Sequence, residues 1–298
     1  MALESDKRGR LYIGPAGWSY ADWDGIVYPP STRLDRLLFI SRYFNCIELN
    51  SSFYRMPSST LVDGWTRRLS DVEDFLLNVK VLGRYTHQRA FDETAIMQFI
   101  ERFDPLLAAE RLGAFLLQFP WSFRFTGGNA DYLEKIAACF RDRPAAIEVR
   151  HGSWDAPEAR DIISGNGLIY CNIDQPVIGR SLPPGDLVTV PGSGYIRLHG
   201  RNYDDWFREG AGRDARYDYL YSEEEMTEWR ERASGMLSRV NRLFVITNNH
   251  FRGQALVNAF QLKSMLTGEK VEVPSRLRRA YPVLERYSGE SSDEGSLF

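Results

Sequence analysis

Eight short strand-like runs, nearly all separated by stretches with helical spacing, constrain this chain more than any other feature of its sequence. The runs are residues 11–14, 46–50, 75–81, 114–119, 145–150, 168–174, 195–199 and 243–248. Helical patterns occupy 34–44, 59–69, 93–110, 129–140, 157–164, 222–240 and 253–266. Several carry their own start signals: Asn129 as an N-cap, Pro157 at a first helical position, and Ser222 with Glu225 as a capping box. Alternating strand and helix builds a parallel sheet. Eight such units in a chain somewhat over the usual length of about 250 residues predict an α/β fold, a single (β/α)8 TIM-like barrel. A doubly wound open sheet is the alternative, but no glycine-rich phosphate fingerprint follows the first run. The barrel is expected to span 11–287, with polar, disordered tails at 1–10 and 288–298.

The 298 residues are 43% hydrophobic, ample for a large core. A net charge of -3 argues against bulk nucleic-acid binding. No apolar run approaches the roughly 20 residues of a membrane span, and the first ten residues lack an apolar signal core. Cys46, Cys139 and Cys171 form no CxxC pair, and two of them fall inside strand runs. They read as core thiols in a reducing cytoplasm rather than as a disulfide or zinc framework.

The side-chain parity of the strands points to a site. Glu48 and Asn50 share a face, as do Asn78 and Lys80, Glu148 and Arg150, Asn172 and Asp174, and Arg197 and His199. The alternate positions are apolar and suit a dry contact with helices. The polar set is therefore expected inside the barrel, late in each strand, at the C-terminal mouth where barrel enzymes place their sites. Gln118, Asn248 and Asn249 join at strand ends, with His151 just beyond the fifth strand and Trp18 and Tyr20 in the turn after the first.

At these residues the chain resembles the YecE-like family, domain of unknown function 72. The resemblance is carried by Ala16-Gly17-Trp18-Ser19-Tyr20, the run 47–55, Lys80 with Thr86-His87, 116–120, Ile147 to Trp154, 195–201, 216–222 and Asn248-Asn249. It extends from about Tyr12 to Leu266 and implies a TIM-like barrel without implying an activity. Pro15-Ala16 departs from the small or hydroxyl residues expected after the first glycine.

The residues point to an enzyme acting on a small anionic, phosphorylated molecule. Lys80, Arg150 and Arg197 supply counter-charge, with Asn50, Gln118 and Asp174 as further contacts. Glu48 or Glu148 is expected as general base and His199 or His151 as acid. Other readings are a metal-assisted hydrolase or isomerase, a glycosidase, and a non-catalytic nucleotide or nucleic-acid-strand binder. No HxxH or HxxxH spacing is present, and no metal or cofactor is expected. Residues 200–221, with Trp206, Tyr217 and glycines at 210 and 212, are expected to form a mobile lid.

Overall fold

A computed structural model describes residues 9–30, 33–206, 208, 210 and 213–289, the side chain of residue 213 excepted. Eight parallel strands form a nearly closed barrel: β1 Arg10–Pro15, β2 Cys46–Leu49, β3 Leu76–Lys80, β4 Leu112–Gln118, β5 Ala145–Glu148, β6 Ile169–Asp174, β7 Ser193–Leu198 and β8 Arg242–Thr247. Ladders join each strand to the next from β2 to β8, and β8 to β1. The seam between β1 and β2 is closed differently. The Asn45 side chain accepts from Ile13 N at 3.0 Å and donates to Leu11 O at 2.9 Å, and a single bridge links Ala16 to Glu48. Gly14 permits this approach, since a Cβ there would stand 1.7 Å from Cys46 O.

The helices, in chain order, are α1 Arg36–Ser41, α2 Ser59–Arg68, α3 Gly83–Thr86, α4 Glu93–Glu101, α5 Asp104–Ala108, α6 Gly127–Cys139, α7 Pro157–Gly165, α8 Arg213–Arg216, α9 Glu223–Leu237, α10 Gln254–Thr267 and α11 Ser275–Ala280. The capping box of Ser222 and Glu225 opens α9 as expected. Asn129 does not cap α6: Thr126 does, its hydroxyl accepting from Asn129 N. The single helix expected over 93–110 is two, α4 and α5, because Pro105 has no N–H to return to residue 101. Arg10 already belongs to β1, and Ser288 pairs with Val271. Gly9 N donates to Leu237 O at 2.8 Å and Gly289 N to Val271 O at 3.1 Å, and the rest of the expected tails, 1–8 and 290–298, lies outside the described residues.

The core has two parts. Outward-facing Ile47, Leu77, Val79, Ile147, Val149, Ile196 and Leu198 pack against the helices. A smaller inner cluster, including Tyr12, Cys46, Ala114, Cys171, Ile173, Tyr195, Phe244 and Ile246, fills the lower barrel. Strand parity is thus as expected except on β6. There Cys171 and Ile173 face inward, so Asn172 and Asp174 face the helices. A register shift between β3 and β4 beside Gly113 marks a bulge, and the missing side chain leaves room for Asn78. Among the described residues, no helix is long and apolar enough to cross a membrane.

Candidate functional site

Above the apolar plug, the late-strand polar residues meet. Arg197 of β7, fully buried, spans two carboxylates: Nη2 donates to Glu48 Oε1 of β2 at 2.6 Å, and Nη1 to Glu148 Oε2 of β5. Tyr195 OH donates to the other oxygen of Glu48 at 3.0 Å. Glu148 Oε1 accepts from Arg150 Nε at 2.8 Å and lies 3.3 Å from His199 Nε2. The Asn248 amide is 2.9 Å from His199 Nδ1. With that amide nitrogen donating to Nδ1, the imidazole proton sits on Nε2 and is directed at Glu148.

Burial alone would raise the Glu148 carboxyl, but Arg197, Arg150 and His199 hold it well below the usual carboxylate range. His199 is pushed down to about 3, first by burial and then by Arg150 and Arg197, which outweigh Glu148. At neutral pH the contact is therefore a neutral imidazole donating to a carboxylate, not an ion pair. Both oxygens of Glu148 are committed, and Glu148, Glu48 and His199 are sealed from solvent. They set the position of Arg150, which reaches outward.

Over this layer lies a cavity of about 520 Å³, lined by Phe53, Tyr54, Lys80, His87, Gln118, Pro120, Trp121, Arg150, Trp206, Arg216 and Tyr217. Among the described residues its wall has three cationic side chains and no carboxylate. Arg150 lies under the Trp206 ring, 5.6 Å from its centroid. Lys80 Nζ sits 4.2 Å from the centre of the Phe53 ring. Neither Lys80 nor Arg216 makes an ion pair with a described residue. Burial and Arg197 push the Lys80 ammonium down to about 7, against the opposing pull of Glu148 and Glu48. His87, edge-on to the same Phe53 ring at 4.8 Å, is lowered to about 4 by burial, Lys80 and Arg150.

Of the residues singled out in the sequence, Glu48, Glu148, Arg150, Arg197, His199 and Asn248 form one bonded network. Lys80 and Gln118 stand beside it in the cavity wall. Asn50, one inward position above Glu48, directs its amide to Ala16 O at 3.4 Å. Five others go elsewhere. Asp174 is buried against α9, bonded to Trp229 Nε1 and to Arg201 Nε at 2.9 Å. Asn249 bonds Tyr219 O and Asn258. The His151 ring caps its own turn through Ser153. Trp18 packs edge-on against Trp65 of α2, and Tyr20 stacks on His250 at 4.3 Å. Tyr195, Tyr54, Trp121 and Arg216 were not singled out for the site. Tyr195 shares the parity of Arg197 and His199 and was legible on that ground. Tyr54 and Trp121 sit in loops and Arg216 ends the four-residue α8, where no periodicity marks direction. Trp206 and Tyr217 of the expected lid do cover the mouth, while residues 207, 209, 211 and 212 of that segment lie outside the described residues.

Among the described residues, no group of three or more His, Cys, Asp and Glu side chains is placed to hold a metal ion. The carboxylates that would serve are taken by arginines.

Comparison with known proteins gives a consistent picture. A family model described as "Protein of unknown function DUF72" matches residues 12–281. The UPF0759 protein YunF of Bacillus subtilis is 30% identical over 270 residues, covering 86% of this chain and 94% of that protein. The UPF0759 protein YecE of Escherichia coli K12 is 27% identical over 172 residues, covering 56% of this chain and 58% of its own. A crystal structure of a DUF72 family protein from Thermotoga maritima superimposes with a TM-score of 0.78 at 34% identity, covering 86% of this chain and 99% of that one. One from Enterococcus faecalis gives 0.77 at 28% identity, covering 87% and 96%.

Proposed function

The chain belongs to the DUF72 family, and from the charge of its barrel mouth we propose that it is an enzyme acting on a small anionic, phosphorylated molecule. The observation that carries this reading is the cavity wall: among the described residues Lys80, Arg150 and Arg216 face it and no carboxylate does. A volume of about 520 Å³ suits a small metabolite. The buried carboxylates below are matched by Arg197 and Arg150, so the surplus positive charge belongs to the cavity. Arg150 is held from behind by Glu148, which leaves a guanidinium edge for a bidentate oxyanion contact. Trp121, Trp206 and Tyr217 close the sides and lower the local dielectric, which strengthens that contact.

Acid–base work falls to groups that touch the cavity. Lys80 and His87 do, and Lys80 changes charge near neutrality, where a proton carrier is most useful. Glu48, Glu148 and His199 act from behind Arg150 as positioning residues.

Calorimetry with inorganic phosphate and glycerol phosphate, with glycerol as the neutral control, tests the reading. Both anions should bind and glycerol should not. Arg150→Gln and Arg216→Gln should each weaken phosphate by about tenfold or more, the loss of one charge-assisted contact. Equal binding of glycerol and glycerol phosphate would overturn it.

A further inference from the structure

We propose that Lys80 forms a covalent imine with its substrate, so that the molecule bound in the mouth is a phosphorylated aldehyde or ketone. The inference rests on the anion-binding reading and deepens it. Its first support is geometric. The Lys80 amine ends in the cavity wall and makes no ion pair with a described residue. Its close neighbour is the face of Phe53, at 4.2 Å. The two acids near it, Glu48 and Glu148, are already bonded to Arg197 and Arg150. Among the described residues Lys80 pairs with no counter-ion, and the Phe53 face and the more distant pull of Glu148 and Glu48 do not offset the burial and the arginines that oppose its charge.

The second support is the choice of residue. Only five of the 37 basic residues of this chain are lysine, at positions 7, 80, 135, 263 and 270. The other basic groups of the mouth are arginines, the better oxyanion clamps. An arginine cannot shed its proton and cannot condense with a carbonyl. A lysine can do both once its environment opposes the ammonium, and here burial, Arg197 and Arg150 all do so.

The chemistry balances without any further reactant. The lone pair of the neutral amine attacks the carbonyl carbon; a C–N bond forms and the C=O π pair moves to oxygen. A proton passes from nitrogen to that oxygen, giving a carbinolamine. The nitrogen then expels the hydroxyl as water, leaving the imine. His87 lies in the same wall and shares the Phe53 ring with Lys80, so its neutral imidazole can take and return the proton. Arg150 and Arg216 hold the phosphoryl group and fix the carbonyl over the amine, which turns a bimolecular condensation into a positioned one.

The test is reductive trapping on the full chain. The protein is incubated with glyceraldehyde phosphate or dihydroxyacetone phosphate and cyanoborohydride, which reduces an imine to a stable secondary amine. Peptide mass spectrometry then resolves the five lysines. Lys80 should be labelled at least about tenfold faster than exposed Lys135, with a pH profile centred near 7 rather than near 10.5. Inorganic phosphate should suppress the label at Lys80 and not at Lys135. Lys80→Met, confirmed folded by circular dichroism, should lose that label alone. Labelling of Lys80 no faster than Lys135, in a protein whose calorimetry shows phosphate binding, would overturn the covalent role and leave the anion pocket standing. Labelling of Lys80 by unphosphorylated glyceraldehyde as fast as by its phosphate, with no phosphate binding, would overturn the phosphorylated substrate. Phosphate-sensitive labelling of Lys80 supports both.

Discussion

Arg197 is the side chain on which the interior charge balance depends, and Arg197→Met tests that balance. Methionine keeps most of the volume, so the barrel interior does not gain a large cavity. What it removes is the one cation shared by Glu48 and Glu148, both fully buried. Glu148 keeps Arg150 and His199. Among the described side chains Glu48 keeps only the hydroxyl of Tyr195. Breaking a buried pair by deleting one partner costs roughly 3–5 kcal/mol, mostly the penalty of the stranded charge. For a chain of this size that corresponds to a fall in melting temperature of about 5–8 °C. The double variant Glu48→Gln, Arg197→Met should regain about half of the loss or more, because the stranded carboxylate is gone while Tyr195 keeps an acceptor. Urea and thermal melts of the wild type, the single variant and the double variant give the cycle. A single variant within about 1 kcal/mol of wild type, or a double variant no more stable than the single, would refute the reasoning.

Lys80→Met should raise the melting temperature at pH 7. Lowering an ammonium from 10.5 to about 7 corresponds to a folding penalty of about 5 kcal/mol at most, and cavity water reduces it to about 1–2 kcal/mol. Because the folded value is the lower one, the penalty is full below about 7 and fades as pH rises through 10.5, so the gain should be absent in melts at higher pH. His199→Gln probes the opposite limb. The folded imidazole protonates only near 3 against an ordinary 6.5, so the wild type should lose stability progressively as pH falls from 6.5 toward 3, by up to about 1.4 kcal/mol per pH unit from this group. The variant should show a flatter acid limb in urea melts; an unchanged slope would count against a neutral, buried His199.

How much could be read in advance follows from what periodicity encodes. The eight strands and the barrel were legible because outward positions such as Ile47, Val79, Ile147 and Leu198 must be apolar to meet helices. Their alternate neighbours, Glu48, Lys80, Glu148, Arg197 and His199, had to face inward for the same reason. The N-cap of α6 was missed because Thr126, Gly127 and Gly128 precede Asn129 without a helical pattern, and a hydroxyl three residues upstream satisfied the same backbone donor. Tyr54, Trp121 and Arg216 stayed hidden because the direction of a residue in a loop or a single helical turn is set by tertiary contacts. The split between α4 and α5 was written in the sequence at Pro105 and needed only the rule that proline returns no hydrogen bond.

Strand β6 shows where the parity argument loses its force, and Asp174 makes the point testable. Its inward residues, Cys171 and Ile173, are the apolar ones, so polarity marks the helix-facing side instead. That side is dry as well, and it tolerates Asp174 only because partners are supplied locally. Trp229 Nε1 and Arg201 Nε both donate to the carboxylate, and Arg201 is itself braced by Glu225 at 3.0 Å. Burial nevertheless raises the Asp174 carboxyl above its usual range, outweighing these donors. Its ionised form therefore costs stability at neutral pH, and the cost disappears once the pH falls through the folded value to below the unfolded 3.8. Asp174→Asn keeps an oxygen for Trp229 or Arg201 and sheds the charge, so its stability should stay within about 1 kcal/mol of wild type. Asp174→Leu strands the indole N–H and should cost about 1–3 kcal/mol. Phosphate affinity should be unchanged in the asparagine variant, since the side chain faces α9 and not the cavity. A tenfold loss of phosphate binding in a folded Asp174→Asn protein would put this residue back in the mouth and reverse the orientation of β6.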